Sequence, residues 1–210
     1  MYTEPNWAAS ALVVIDMQVD FADDGALPIA GTDAITPNVR RLAEGYRQAG
    51  LPIVHIVRLY APGSSDVDLP RRAFVEGGGV SAAPGTPGSA VIAGIAGPGD
   101  PLAVDAGVLL AGEPQALGKN EIVLFKPRWG AFYRTPLEAW LRERDVDTVV
   151  VAGCNLPNCP RATLFEASER DFRTVLVGDA VSQVSAERLT DLAGIGVNIL
   201  PTGAVLGRVA

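Results

Sequence analysis

Three side chains of complementary chemistry, Asp16, Lys126 and Cys159, each stand at or just beyond the end of a short β-branched run. A thiol beside a carboxylate can attack a carbonyl: the carboxylate takes the thiol proton and later returns it to a leaving amine. Cys159 directly precedes Pro160, and a proline in the first helical turn makes Cys159 the expected N-cap of a helix. Backbone N–H groups and the helix dipole at that place, with the Lys126 charge nearby, are expected to lower the thiol pKa. Cys154 falls in the turn after 151–153 and reads as structural, as does His55 between Val54 and Ile56. No Ser-His-Asp or Cys-His set can therefore be assembled.

The elements that must position these groups alternate between two periods. Residues 11–15, 51–59, 122–125, 148–152, 174–177 and 197–200 read as buried strands. Helices are expected over 37–49, 136–144, 160–170 and 185–193, with Thr135 as an N-cap and Pro136 at the first helical position. Strands alternating with helices imply a parallel sheet covered on both faces. The expected architecture is a single α/β domain over 1–210, a three-layer αβα sandwich with a six-stranded, mostly parallel Rossmann-like sheet. Ligands of such sheets bind beyond the carboxyl ends of the strands, where Asp16, Lys126 and Cys159 fall. Between about 61 and 120 the pattern fails: Gly and Pro are dense and no clear helix is visible. This stretch is expected to be an ordered insertion, a lid or an oligomer contact.

Composition narrows the class. The 210 residues carry a formal net charge of −7, which argues against a nucleic-acid surface, since that needs a clustered basic face. The apolar stretch 90–111 is broken by Pro98, Asp100, Pro101 and Asp105 and cannot span a bilayer. Two cysteines make no disulfide framework, and residues 1–10 carry no basic run of a signal peptide, so a cytoplasmic location is expected. With two cysteines and one histidine, neither a zinc site nor another cofactor is expected.

Three motifs carry a resemblance. Asp16-Met17-Gln18 with Phe21, the run Lys126-Pro127-Arg128-Trp129-Gly130-Ala131-Phe132, and Val151-Ala152-Gly153-Cys154-Asn155 leading to Cys159 together resemble the isochorismatase-like cysteine hydrolases. The resemblance implies Asp16 as general base, Cys159 as nucleophile, and Lys126 as the group that supports the sulfur anion and orients the aspartate. It also implies a cis peptide between Cys154 and Asn155, aiming the Asn155 N–H beside that of Cys159 to form an oxyanion hole. Nicotinamidases of this family use an Asp/His/His metal site, which one histidine cannot supply. Isochorismatases that cleave a vinyl ether generally lack the cysteine.

The run 154–161 is similar to a branch that includes streptothricin hydrolases, which open a cyclic amide. The implied activity is hydrolysis of a C–N amide bond, cyclic or open, in a small molecule through a thioester. Ether or ester hydrolysis on the same fold, or a non-catalytic binding protein, remain the alternatives. The resemblance also implies a homodimer or homotetramer. Phe21, Trp129 and Phe132 are candidates for the wall of the substrate pocket. Arg161, a cation in the first turn of a helix, opposes the dipole and is expected to find a partner in an Asp or Glu of the insertion or in a substrate carbonyl, anchoring that segment over the pocket and helping to fix substrate choice.

Overall fold

The computed structural model describes residues 2–64 and 66–210. Seven strands join in one sheet: β1 (Ser10–Ile15), β2 (Ile53–Val57), β3 (Gln115–Ala116), β4 (Glu121–Phe125), β5 (Thr148–Gly153), β6 (Arg173–Val181) and β7 (Asn198–Leu200). Their order across the sheet is β3-β4-β2-β1-β5-β6-β7, and all pairings are parallel except β3 with β4. Chain order reverses about β1, so the neighbouring strand ends form the switch point where such sheets bind ligands.

Helices cover both faces. On one side lie α1 (Thr32–Gln48) and α7 (Thr202–Val209), which bury Val39, Leu42, Ala43, Tyr46, Val205 and Val209 with Leu12 and Val14 of β1. On the other lie α4 (Leu137–Arg142), α5 (Cys159–Ser168) and α6 (Ala186–Gly194), whose Leu137, Trp140, Leu141, Leu164 and Leu192 pack with Ala11, Val13 and Ile15. Alternate β1 residues thus enter opposite cores, and for that reason its sequence shows an unbroken apolar run and no period of two. This is the three-layer α/β sandwich expected from the strand–helix alternation.

Several boundaries differ from expectation, each for a physical reason. The sheet has seven strands where six were expected, because the two-residue β3 adds an antiparallel edge too short to register as a pattern. Helix α1 begins at Thr32, ahead of Pro37, because Asp23 Oδ1 accepts the Gly31 and Thr32 N–H groups at 3.0 and 3.1 Å and anchors an earlier turn. Strand β6 runs through Gly178 and Asp179 to Val181, absorbing them in a register shift opposite Val151 and Gly153.

The region 61–120 is not free of helix. It contains α2 (Leu69–Glu76), which starts beside Pro70, and the short α3 (Ala106–Leu110), whose first N–H groups are accepted by Asp105. Its apolar residues Val91, Ile95, Val104 and Leu109 are buried. Helix α7 carries two glycines and has no strong intrinsic preference; its packing on α1, with Leu206 lying over Gly45, supplies the stability.

Candidate active site

Asp16 follows the last residue of β1, and its N–H donates to Ile56 O of β2 at 2.9 Å. Its φ of 51° places it in the left-handed region, which Asp tolerates better than most residues, and turns the chain off the sheet at that point. Lys126 follows β4, and its N–H donates to Val57 O at 3.0 Å. The two side chains converge: Lys126 Nζ donates to Asp16 Oδ2 at 2.8 Å, with the lysine fully buried and the aspartate 3% exposed. A buried ammonium needs such a partner, since removing either charge from water alone is very costly. Asp16 Oδ1 is buried and has no hydrogen-bond partner of ordinary length.

The segment that carries Cys159 leaves β5 through Gly153, whose φ of 111° suits only glycine and whose added Cβ would collide with the Ile15 main chain. The Cys154–Asn155 peptide is cis, at the place the motif implied. Leu156 N–H donates to Ser182 O and Asn158 N–H to Asn155 O, both at 3.0 Å, and α5 begins. The N-cap position is held by Asn158, and Cys159 is the first helical residue, one place later than expected. Among the described residues neither the Asn155 N–H nor the Cys159 N–H has an acceptor. Thr163 Oγ1 donates to Cys159 O at 2.8 Å and accepts from Ala131 N–H at 3.1 Å, which fastens the first turn of α5 to the loop after Lys126.

The electrostatics correct one expectation in sign. The Cys159 thiol is pushed up to about 11, first by burial, then by the Asp16 carboxylate; the Lys126 and Arg58 cations oppose this without reversing it. Helix position and a nearby lysine had pointed to a lowered value. Burial and the facing carboxylate, neither visible in sequence, outweigh both. At neutral pH such a sulfur rests as a thiol, under the charge of the Asp16 carboxylate. Cys154 is fully buried, its Sγ donates to Asp16 O at 3.1 Å, and burial raises its pKa well above the ordinary thiol value.

The remaining candidates separate. Trp129 is partly exposed, and its Nε1 donates to Asp68 Oδ2 at 3.3 Å. Phe21 and Phe132 are buried in the two cores, Phe132 stacked on Phe172 with ring centroids 5.6 Å apart. Arg161 does not reach an acidic residue of the insertion: its guanidinium lies over Phe165 of its own helix, 5.7 Å from the ring centroid. Two acids of 61–120 pair elsewhere, Asp66 with Arg128 and Arg134, and Asp68 with Arg58.

His55 sits mid-β2, bonded through Nε2 to Glu121 Oε1 at 2.7 Å. Among the described residues no group of three or more His, Cys, Asp and Glu is placed to hold a metal ion. Arg58 is the residue that sequence reasoning passed over. It follows β2 directly, and the signal that could have found it is its strand-end position level with Asp16 and Lys126.

Known proteins place this arrangement. A family model described as the isochorismatase domain matches residues 10–106 and 105–194. A probable inactive nicotinamidase from Arabidopsis thaliana is 31% identical over 198 residues, covering 91% of each chain. A ureidoacrylate amidohydrolase from Methylobacterium radiotolerans is 28% identical over 205 residues, covering 87% of this chain and 70% of that protein. The crystal structure of an isochorismatase family protein from Desulfovibrio vulgaris superposes with a TM-score of 0.78 at 30% identity, covering 94% of this chain and 96% of the other. With its family model matched along most of its length and its fold shared, the chain belongs to the isochorismatase family.

Proposed function

We propose that this protein is a cysteine-dependent amidohydrolase that cleaves a C–N bond of a small molecule through a thioester. The observation that carries the reading is the buried Asp16–Lys126 pair at two strand ends, whose charges act on the Cys159 thiol at the start of α5. Family membership supports a hydrolase acting on a small C–N substrate.

The protonated state of the thiol shapes the mechanism. Asp16 takes the proton as Sγ attacks the substrate carbonyl, so the sulfur anion never accumulates. The carbonyl oxygen, now an oxyanion, receives the unpaired Asn155 and Cys159 N–H groups. Collapse of the adduct breaks the C–N bond, the amine leaves with the proton held by Asp16, and a thioester to Cys159 remains. Water then gives its proton to Asp16 and attacks the thioester; the carboxylic acid departs and the proton returns to sulfur. Lys126 keeps Asp16 oriented.

Trp129 forms part of the pocket wall, and Arg161 stands at the first turn of α5 where a substrate polar group can reach it. Two substrate types come first in a test: the ureido acid after which the Methylobacterium amidohydrolase is named, and the cyclic amide of the branch that 154–161 resembles. Incubation with a panel of small ureido acids, primary amides and cyclic amides, followed by intact-mass measurement, should show an acyl adduct that maps to Cys159. Release of amine or ammonia should follow. Turnover of a panel member that persists in Cys159→Ala would overturn the reading.

A further inference from the structure

Arg58 is a deeply buried cation, 3% exposed, and long charged side chains are almost never buried so far without a reason. It follows β2, the strand between β1 and β4, so it rises between Asp16 and Lys126. Its main chain is clamped: Arg58 N–H donates to Gln18 Oε1 at 2.7 Å, and Gln18 Nε2 donates to Arg58 O at 2.9 Å. Gln18 is itself fully buried and donates also to Ser89 O of the insertion at 2.9 Å. The guanidinium is held as firmly, by an ion pair with Asp68 and hydrogen bonds to Arg128 O at 2.5 Å and Tyr60 Oη at 3.2 Å.

Tethering the insertion does not account for this arrangement, because a buried ion pair is often no more stabilising than apolar side chains of the same shape. What the pair adds is a fixed charge. The charged groups that act on the Cys159 sulfur are Asp16, Lys126 and Arg58, and the nearby Cys154 thiol is neutral. In the Lys126–Asp16 pair the carboxylate raises the thiol pKa more than the lysine lowers it, and the Arg58 cation, rising between the two at the strand ends, acts in the same sense as the lysine.

We infer that Arg58 is a positioning residue for the nucleophile: a fixed second cation, set by the Gln18 clamp and moderated by Asp68, that stabilises negative charge on Cys159 Sγ as its proton passes to Asp16. The inference rests on Cys159 as the nucleophile. Its test reads the sulfur without any substrate, so failure of one can be told from failure of the other.

The experiment is the rate of Cys159 alkylation by iodoacetamide across roughly pH 6 to 10, since the thiolate is the species that reacts. Peptide mapping separates Cys159 from Cys154, and a melting curve is recorded for each variant. Arg58→Met should slow alkylation near neutral pH by about tenfold, the equivalent of one unit of pKa. Arg58→Lys should restore most of the rate. Asp68→Asn, which frees the same cation from its counter-charge, should make alkylation faster. A role confined to packing predicts that Arg58→Met and Asp68→Asn loosen the site alike and move the rate in one direction. Shifts of the same sign, or no shift in either, would overturn the inference. If Arg58→Met does not fold, Asp68→Asn decides alone, and a rate no faster than that of the parent protein counts against it.

Discussion

Two charge clusters on this sheet, one partly and one deeply buried, differ in what they leave unsatisfied. At the start of β4, Glu121 has both oxygens taken: Oε1 by His55 Nε2 and Arg47 Nη2, each at 2.7 Å, and Oε2 by Arg47 Nε at 2.9 Å. At the carboxyl ends, Asp16 has one oxygen held by Lys126 at 2.8 Å and the other with no hydrogen-bond partner. The first carboxylate is closed, and its contacts join α1, β2 and β4. The second keeps an acceptor free in a site where the thiol proton is at hand. A fully bonded buried carboxylate supports structure; a half-bonded one can take a proton.

The sharpest break in this comparison lies at the open cluster. Cys159→Ala should lower kcat on an accepted amide by about four orders of magnitude or more, with melting temperature nearly unchanged; steady-state kinetics and a thermal melt check both. Asp16→Asn should lower kcat by about 10²–10⁴ while making Cys159 alkylation faster at neutral pH. The sign follows from the causes: the carboxylate charge helps push the thiol up to about 11, and without it burial alone opposes the Lys126 and Arg58 cations. Slower alkylation in Asp16→Asn would show that the carboxylate does not face the sulfur.

At the closed cluster the effect should fall on stability alone. Glu121→Gln should cost about 1–3 kcal/mol in denaturant unfolding at neutral pH, with kcat per folded molecule retained. Burial alone would raise the Glu121 pKa, but hydrogen bonds from His55 and Arg47 outweigh it and bring it down to about 2. A carboxyl depressed in the folded state stabilises above its ordinary value and loses that contribution as pH falls through the folded one. The parent protein should therefore lose melting temperature more steeply than Glu121→Gln between about pH 4.5 and 2. The smallest change belongs to Arg161→Ala: with only Phe165 beneath the guanidinium, unfolding free energy should move by about 0.5–1 kcal/mol at most.

The sequence displayed this contrast unevenly. Asp16, Lys126 and Cys159 were legible because strand ends in an α/β pattern are readable from where β-branched runs stop. The layers were legible for the same reason. Arg58 was not, because an arginine after a strand looks the same whether it reaches water or turns back beneath an insertion; only the buried Asp68 and the Gln18 clamp decide. The thiol's raised pKa was hidden likewise, since its first cause is burial. Helix α2 was missed because its eight residues bury Val75 alone and show no apolar stripe, and α7 because Gly203 and Gly207 lower its propensity while α1 supplies the packing. The carboxylate sought for Arg161 was expected from local conflict, yet an aromatic ring one turn along gave the cation its neighbour.

The rims of the sheet have a consequence of their own. One ends in the two-residue β3, running against its neighbour, and the other in the three-residue β7, where Asn198 Nδ2 donates to Thr3 O at 2.7 Å. A long, flat outer strand offers a row of free N–H and C=O groups onto which a second polypeptide can add. Here each rim presents only a two- or three-residue ladder, and beside β7 the amino-terminal segment is held by the Asn198 side chain. The five strands between them, among the most apolar segments of the sequence, are thereby withheld from edge-to-edge pairing with other molecules, and the sheet ends at seven strands.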